Sequence, residues 1–501
     1  MPGVMGFEFS LAGGKKSQRV ETSPFVMMVL GDFAGNAGKK ADDDPAWLMQ
    51  VPVRKVDIDN IDQLWKNFAP RLEIDVEDTP VILEPRDLDD FHPDHLYRHQ
   101  PLFAELRKLR SRLLDPATSS EALAEVIESS PRPVEEAPDT PPATEPAPLE
   151  GGDNMFERLL GEARTQPSPV AAATSKLDSL LQKLVAPHVV YELDPKVDTA
   201  VDAVDTAIAE SMRRILHNPE FQALEGAWRS LYDLVQESEI GEELHLKVCN
   251  VSKKSLLNGL PTSANALEDS GLYQLLVGRF RRAADDEGFS VLLCNYFFGG
   301  GVDDVALLAS LATLAEAHDA AVIGAAESEL IGSHCLAQQP AFNDWSKMEN
   351  PFWQQLRQTP LATRIGLALP RIIGRLPYGR DTDEIDSFDF EELDMSEHEN
   401  FLWTNPTLKC ARLLAESFTG FGWNMSPDNR TDIGGLPVFS YKEDGENKML
   451  PCAELLLPER SAEAILALGI MPIVSFRNRD MARLLRFQSI AEPVTALDGP
   501  W

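Results

Sequence analysis

A stretch rich in proline and acid, SSPRPVEEAPDTPPATEPAPLEGGD, runs from Ser129 to Asp153 and constrains how the rest of the chain can fold. Nothing in it can build a core, and its composition predicts an extended, solvated tether. The chain must therefore fold as two segments joined by a leash, a modest one before it and a longer one after it. With 501 residues and 43% hydrophobic content, both segments have material for cores, and length alone suggests roughly two to four domains.

The N-terminal segment reads as α/β. PFVMMVLGDF, from Pro24 to Phe33, is an apolar run bounded by Pro24 and Gly31, which predicts a buried strand. VPVRKVDID (Val51 to Asp59) alternates as a second strand. Ile61, Leu64, Trp65 and Phe68 recur at helical spacing behind Asn60, a candidate N-cap. FHPDHLYRHQPLFAELRKLRSRLL predicts a further helix with Leu102, Leu106, Leu109 and Leu113 on one stripe.

The C-terminal segment opens with two short amphipathic helices, Asn154 to Arg164 and Ser175 to Val185. A longer helical stretch follows, broken at Pro219. Then apolar strands alternate with helices: LHLKVCNVS, SVLLCNYFF, the helix DVALLASLATLAEAHDA, and AVIGAA. Continuous apolar strands between helices predict mixed or parallel sheets covered on both faces. The fold class expected is α/β with mixed sheets, and no internal repeat is visible.

Charge and composition exclude several functions. A net charge of −34 and a pI near 4.6 repel nucleic acid and anionic membranes. No apolar run reaches the ~18 residues of a membrane span, and the N-terminus lacks a secretory h-region, so a cytoplasmic protein is expected. Cys249, Cys294, Cys335, Cys410 and Cys452 lie far apart with no C-x-x-C pair, which fits free thiols.

Searches for chemistry come back thin. FSLAGGKKS and GNAGKK resemble a phosphate loop, but Phe9 and Phe33 stand where the first glycine belongs, and a lysine where the hydroxyl belongs. NYFFGGGVDD lacks G-x-G-x-x-G spacing and a basic partner. A tight strand-to-helix turn, with Asp303 or Asp304 at the helix N-terminus, explains it better. His92, His95 and His99 sit at i, i+3 and i+7 beside Asp89, Asp90 and Asp94, the most metal-like cluster in the sequence. No H-E-x-x-H and no cysteine join it. A helix start with Asp90 or Asp94 as cap and Pro93 in the first turn accounts for the same residues. No G-x-S-x-G elbow is present. The expectation is no catalytic residue, no cofactor and no metal, hence not an enzyme.

One stretch remains, NPFWQQLRQTPLATRIGLALPRIIGRLPYGRDTD, from Asn350 to Asp383. It carries Arg357, Arg364, Arg371, Arg375 and Arg380 among apolar residues punctuated by Pro360, Pro370 and Pro377. The arginines could bind a polyanion, or their forks could clamp carboxylates and carbonyls in an irregular segment. Acids follow at once in DTDEIDSFDFEEL: Asp381, Asp383, Asp386, Asp389, Glu391 and Glu392. That proximity favours the clamp, with Arg364, Arg371, Arg375, Glu391 and Glu392 as its members and Arg371 and Arg375 at its centre.

The same region carries a resemblance. LALPR…RLPYG, then Phe388 to Glu392, then Leu402 to Asn405 before a helix, is similar to the large subunit of the contractile sheath of bacterial type VI secretion systems. NPEFQALEGAWRSLYDLV (Asn218 to Val235) and LGIMPIV (Leu468 to Val474) fit the same family. PFVMMVLGDFAG, VDIDNIDQLWKNFAPRLEI and DLDDFHPDHLYRHQPLFAELRKLRSRL resemble the small sheath subunit, which assigns the histidine cluster to scaffold.

The resemblance implies a fusion: a small-subunit-like α/β domain over 1–128, the linker 129–153, a helical arm over 154–217, and a large-subunit-like α/β domain over 218–501. It implies a structural role, the two parts packed as an intrachain heterodimer that assembles with other sheath subunits around an inner tube of ring protein. Self-assembly into a homo-oligomer, a baseplate and a disassembly AAA+ ATPase come with that picture. In the family the ATPase grips a short N-terminal helix of the large subunit. Phe156, Leu159, Leu160 and Ala163 form the apolar stripe of the helix expected there. The family's large subunit continues beyond the equivalent of DMARLLRFQSIA, whereas this chain stops at Trp501. That departure makes a non-polymerising adaptor, bound to sheath, baseplate or ATPase, the alternative expectation.

Overall fold

A computed structural model describes residues 23–35, 45–76, 79–129, 195–260, 264–282, 288–393, 398–443 and 445–501. The tether, both short helices expected between 154 and 185, and the stripe of Phe156, Leu159, Leu160 and Ala163 lie outside the described residues. The chain divides into two units. One joins Met1–Ala104 with Ala207–Trp501, and the other is Glu105–Thr206.

The smaller unit is helical. The helices Ala104–Leu114 and Ser119–Ser129 are joined by a turn that Thr118 braces, its hydroxyl donating to the Arg112 carbonyl at 2.8 Å. Arg112 pairs with Glu125 at 2.6 Å, and Arg110 with Asp205 at 2.6 Å on the helix Pro195–Leu216.

The larger unit is a mixed α/β structure. Its strands, in chain order, begin with β1 (Phe25–Gly31), β2 (Val53–Val56), β3 (Leu72–Val76) and β4 (Thr79–Leu83). After the tether come β5 (Leu244–Asn250), β6 (Val291–Phe298), β7 (Ala321–Ala326) and β8 (Ile365–Leu369). The short strands β9 (Ile372–Ile373), β10 (Trp403–Thr404) and β11 (Asp432–Ile433) follow. Last are β12 (Ser440–Glu443), β13 (Glu446–Met449), β14 (Met471–Ser475) and β15 (Ala482–Leu484).

Among the described residues, nine strands form one sheet in the order β11-β15-β14-β8-β7-β6-β1-β5-β2. The run from β14 to β5 is parallel, and antiparallel β2 and β15 flank it. Every residue of β1, β7 and β8 is buried, as parallel strands covered on both faces require.

Strand β1 is an interior strand of this sheet, third from its β2 edge. It pairs with β5 from Phe25↔Leu244 to Gly31↔Asn250, and with β6 from Met27↔Val291 to Leu30↔Cys294. Its alternate side chains serve two cores. Val26, Met28 and Leu30 pack with Leu307, Leu308 and Leu311 of the helix Val302–Glu316, while Phe25 stacks on Phe418 of the helix Thr407–Phe421 at 5.0 Å.

A second junction is aromatic. The indoles of Trp65 and Trp228 stack at 3.7 Å, with Phe33 edge-on to Trp228 at 5.5 Å and Phe91 edge-on to Phe221 at 5.4 Å. The Trp228 Nε1–H donates to the Phe33 carbonyl at 2.8 Å, so the polar atom of a fully buried indole is satisfied.

Several local expectations change. The helix expected from Phe91 to Leu114 is broken: Pro93–His99 ends before Gln100, and a 3₁₀ turn at Pro101–Phe103 precedes the next helix. Pro101 lacks an amide proton and disfavours helical backbone at the residue before it. Asn60 stands at the expected cap position of the helix Ile61–Phe68, but its side-chain oxygen accepts from the Asp57 amide at 3.1 Å. The strand expected over Val51 to Asp59 shortens to four residues.

Candidate functional site

The arginine-rich segment is built of short pieces, each with its own local cause. Asn350 caps the helix Pro351–Arg357, accepting from the Phe352 and Trp353 amides at 3.0 and 3.3 Å, and Pro351 fills the first position. A 3₁₀ turn, Pro360–Arg364, then feeds β8. Beyond Pro370 the chain makes only the two-residue strand β9. The backbone therefore relies on side chains for hydrogen bonds here.

Arg375 gives the backbone one of them, to the Leu376 carbonyl at 3.1 Å, and otherwise binds side chains. Its guanidinium is 7% exposed and lies between two buried carboxylates. It donates to Glu225 through Nε at 2.7 Å and to Glu392 through Nη1 at 2.7 Å and Nη2 at 3.0 Å. Glu392 also accepts from the Tyr378 amide at 2.7 Å, and the Tyr378 ring lies 4.1 Å from the Arg375 guanidinium. Arg229, one turn along the helix Pro219–Glu237, gives Glu225 a second cation at 2.7 Å.

Burial works against each of these charges, and their mutual attraction outweighs it. The Arg375 pKa stays well above the arginine range, with Glu225 and Glu392 the opposing cause, and Glu225 is held below the usual glutamate value by Arg375 and Arg229. Burial also pushes the Tyr378 hydroxyl up, so it remains a neutral donor or acceptor. The close fit extends to the backbone: a Cβ on Gly374 would stand 2.5 Å from Thr404 Cγ2.

The other arginines behave differently. Arg371 bridges Glu399 at 2.9 and 3.0 Å and Glu454 at 2.5 Å, and its amide donates to Glu454 at 3.2 Å. Arg364, buried, meets Asp319 at 2.7 Å and Asp498 at 3.3 Å. Arg357 donates to the Ile490 carbonyl at 2.9 Å and lies 3.3 Å from Glu492. Arg380 pairs with Asp389 in solvent at 3.0 Å.

Of the acids expected to be clamped, Glu392 is. The Glu391 carboxylate pairs with no arginine side chain among the described residues; it accepts from the Arg380 amide at 3.1 Å, and the Glu391 carbonyl accepts from Arg213 Nε at 2.9 Å. The partners that sequence proximity missed are distant ones: Glu225, Asp319, Glu399, Glu454 and Asp498. Only Glu225 carried a signal, because Phe221, Glu225 and Trp228 share one helical face and a glutamate there must be buried with a partner.

The carboxyl ends of β6, β7 and β8 open onto a cleft of about 560 Å³, lined in part by Asp304, Glu327, Glu329, Arg371 and Glu454. The triple-glycine turn lies at its rim. The Gly299 amide donates to Asp304 at 2.6 Å and the Gly300 amide to Glu329 at 2.8 Å. The structure does supply a basic neighbour, Lys253, but its ammonium is bound to Asp304 at 2.6 Å and to the Phe297 carbonyl at 2.7 Å. The amides that would cradle phosphate are occupied by carboxylates.

The histidines of the N-terminal cluster do not share one helical face. His92 precedes the helix and its Nδ1 accepts from the Asp94 amide at 3.1 Å. The rings of His95 and His99 stack at 4.1 Å. Asp94 accepts from the amides of Asp386 and Ser387 at 3.1 and 3.0 Å, and Asp90 accepts from the Arg86 amide at 2.8 Å. Asp94 thus holds backbone far along the sequence, and Asp90 holds that of its own segment. All five cysteines are free thiols, and burial raises Cys249 and Cys410 to about 12 and Cys452 to about 11. No described helix is long and apolar enough to cross a membrane.

Comparison with known families decides what this scaffold is. The family VipB, described as "EvpB/VC_A0108, tail sheath N-terminal domain", matches residues 198–491. The chain belongs to the type VI secretion sheath family. Residues 6–129 match a second family, described as "Type VI secretion system, VipA, VC_A0107 or Hcp2", so one chain carries both the VipA-type and the VipB-type part of a sheath protein. A relative from Pseudomonas aeruginosa, the type VI secretion system sheath protein TssC1, is 29% identical over 311 residues, 59% of this chain and 62% of the relative. The chain thus spans less than two thirds of that relative's length.

Proposed function

We propose that this protein is a structural subunit of a contractile type VI secretion sheath in which both halves of the sheath protomer are supplied by one chain. The observation that carries the reading is the position of β1. A strand from the VipA-type part pairs on both sides with strands of the VipB-type part, so neither part has a finished sheet alone. A tether of about 25 residues holds the partners at an effective concentration in the millimolar range, which favours pairing within one chain over pairing across chains.

In this reading the arginine clamps hold the fold together, and Arg364, Arg371, Arg375 and Glu392 perform no chemistry. The domain limits of this reading are those expected from sequence, 1–128 and 218–501, with the linker over 129–153 and a helical arm over 154–217 between them. The protein works in the cytoplasm, assembling with other sheath subunits around the inner tube. The stripe of Phe156, Leu159, Leu160 and Ala163 is the handle for the disassembly ATPase, and the baseplate is a further partner.

The test is electron microscopy and sedimentation of the purified chain across a concentration series. Tubes or stacked rings that grow with concentration support a polymerising sheath subunit. Particles of one chain at every concentration, unchanged by added sheath subunits, overturn it. Single particles that attach to the ends of another sheath instead support the adaptor.

A further inference from the structure

His398, Glu399 and Glu454 lie at the edge of the arginine network and do something that network does not explain. The His398 Nε2–H donates to the Glu454 carbonyl at 3.0 Å, so in the neutral ring Nδ1 keeps its lone pair. That nitrogen is buried, has no hydrogen-bond partner, and faces Glu399 Oε1 at 3.6 Å. In the neutral ring these two acceptors repel unless a proton or a metal ion lies between them. The ring is fixed in this attitude by Trp403, stacked on it at 4.9 Å and donating through Nε1 to the His398 carbonyl at 2.8 Å.

The spacing suits a metal ion. One ligand atom from each of the three residues lies within 4.8 Å of the other two. Zinc binds imidazole nitrogen and carboxylate oxygen at about 2.0–2.2 Å, so the edge of its tetrahedron is roughly 3.3–3.5 Å. The 3.6 Å separation of Nδ1 and Oε1 is close to that edge. Glu454, 7% exposed, is held with φ at 21°, a conformation seldom taken by residues other than glycine. That backbone turns its carboxylate toward Arg371 and its carbonyl toward His398.

We propose that His398 Nδ1, Glu399 and Glu454 bind one divalent transition-metal ion of the zinc type, with water completing the coordination. Arg371 occupies the outer layer. It hydrogen-bonds both carboxylates, as the neighbours of metal-ligating carboxylates do, and a single guanidinium leaves the pair of glutamates one net negative charge for the ion. The Nε2–H···O=C bond plays the same orienting part for the histidine. Imidazole in the donor set selects a zinc-type ion over magnesium or calcium. The ion ties the 398–399 segment to the 454 segment across more than fifty residues of chain, a structural staple.

The test uses the full chain, stripped with chelator and titrated with zinc chloride by calorimetry, with thermal melting in parallel. One saturable site per chain is expected, with a rise in melting temperature that follows zinc by mass action. His398→Ala should weaken binding at least tenfold and abolish that rise. His92→Ala with His95→Ala should leave both unchanged. Glu399→Gln removes an exposed carboxylate and reads the same site should His398→Ala fail to fold. No saturable zinc binding overturns the proposal. So does binding untouched by His398→Ala and Glu399→Gln, and so does melting that responds to pH through the histidine range but not to zinc.

Discussion

Glu225 is a fully buried carboxylate on a helix, tolerable because Arg375 and Arg229 both reach it. A buried pair of this kind is weak evidence of net stability, but removing one partner leaves an unpaired charge that costs about 3–5 kcal/mol. Arg375→Ala strands Glu392 and leaves Glu225 with Arg229 alone, so denaturant unfolding should show a loss of that size. Arg371 is less enclosed and Glu399 stands mostly in solvent, so Arg371→Ala should cost less, about 1–3 kcal/mol. Equal losses in the two variants would mean that burial does not set the energetics. The sign of the pH dependence follows from Glu225, whose folded pKa lies below the ordinary glutamate value of 4.5. Its contribution is complete above about 4.5 and disappears as pH falls through the lower folded value, because the unfolded chain takes up the proton first. Unfolding midpoints measured from pH 7 downward should therefore hold to about 4.5 on this account and fall below it, and Glu225→Gln should flatten that fall.

At the scale of elements, what was legible in the sequence is what is local. The apolar run of β1, the continuous apolar runs that make β6 and β7 buried strands, and the all-round apolar helix Val302–Glu316 are each written in consecutive residues. So is the break before Pro219, where Asn218 accepts from the Glu220 and Phe221 amides at 2.9 and 3.2 Å. Partner choice was not legible. The acids just after Arg380 looked like the clamp, yet Arg375 also reaches Glu225, 150 positions away, and Arg371 finds Glu399 and Glu454. Sheet order and loop packing fix those pairs, and neither has a period in the sequence. The trio around His398 was invisible for the same reason. The junction that matters most between elements is aromatic: Trp228 presents one face to Trp65 and its N–H to the Phe33 carbonyl. Trp228→Ala should cost about 3–5 kcal/mol, and Trp228→Phe, which keeps a stacking ring but strands that carbonyl, about 1–3 kcal/mol. Thermal melts of the two variants check the order.

For the whole molecule, the sheet makes a demand that the tether does not. β1 contributes seven residues to the interior of a nine-stranded sheet, hydrogen-bonded to β5 and β6 and packed on both faces. Each of those hydrogen bonds adds about 0.5–1.5 kcal/mol net, and burying each large side chain on β1 adds about 1.5–3 kcal/mol. The interface is therefore of the kind that holds a permanent complex, and the covalent link adds only effective concentration. A protease site placed within 129–153 and cut after folding should leave the two fragments together on gel filtration, with native circular dichroism. Separation needs denaturant, and regaining the complex from the separated fragments should be slower and concentration-dependent, since the strand must re-enter a sheet already trying to close. Fragments that drift apart at native pH without denaturant would show that the leash, rather than the sheet, keeps the two sheath parts paired.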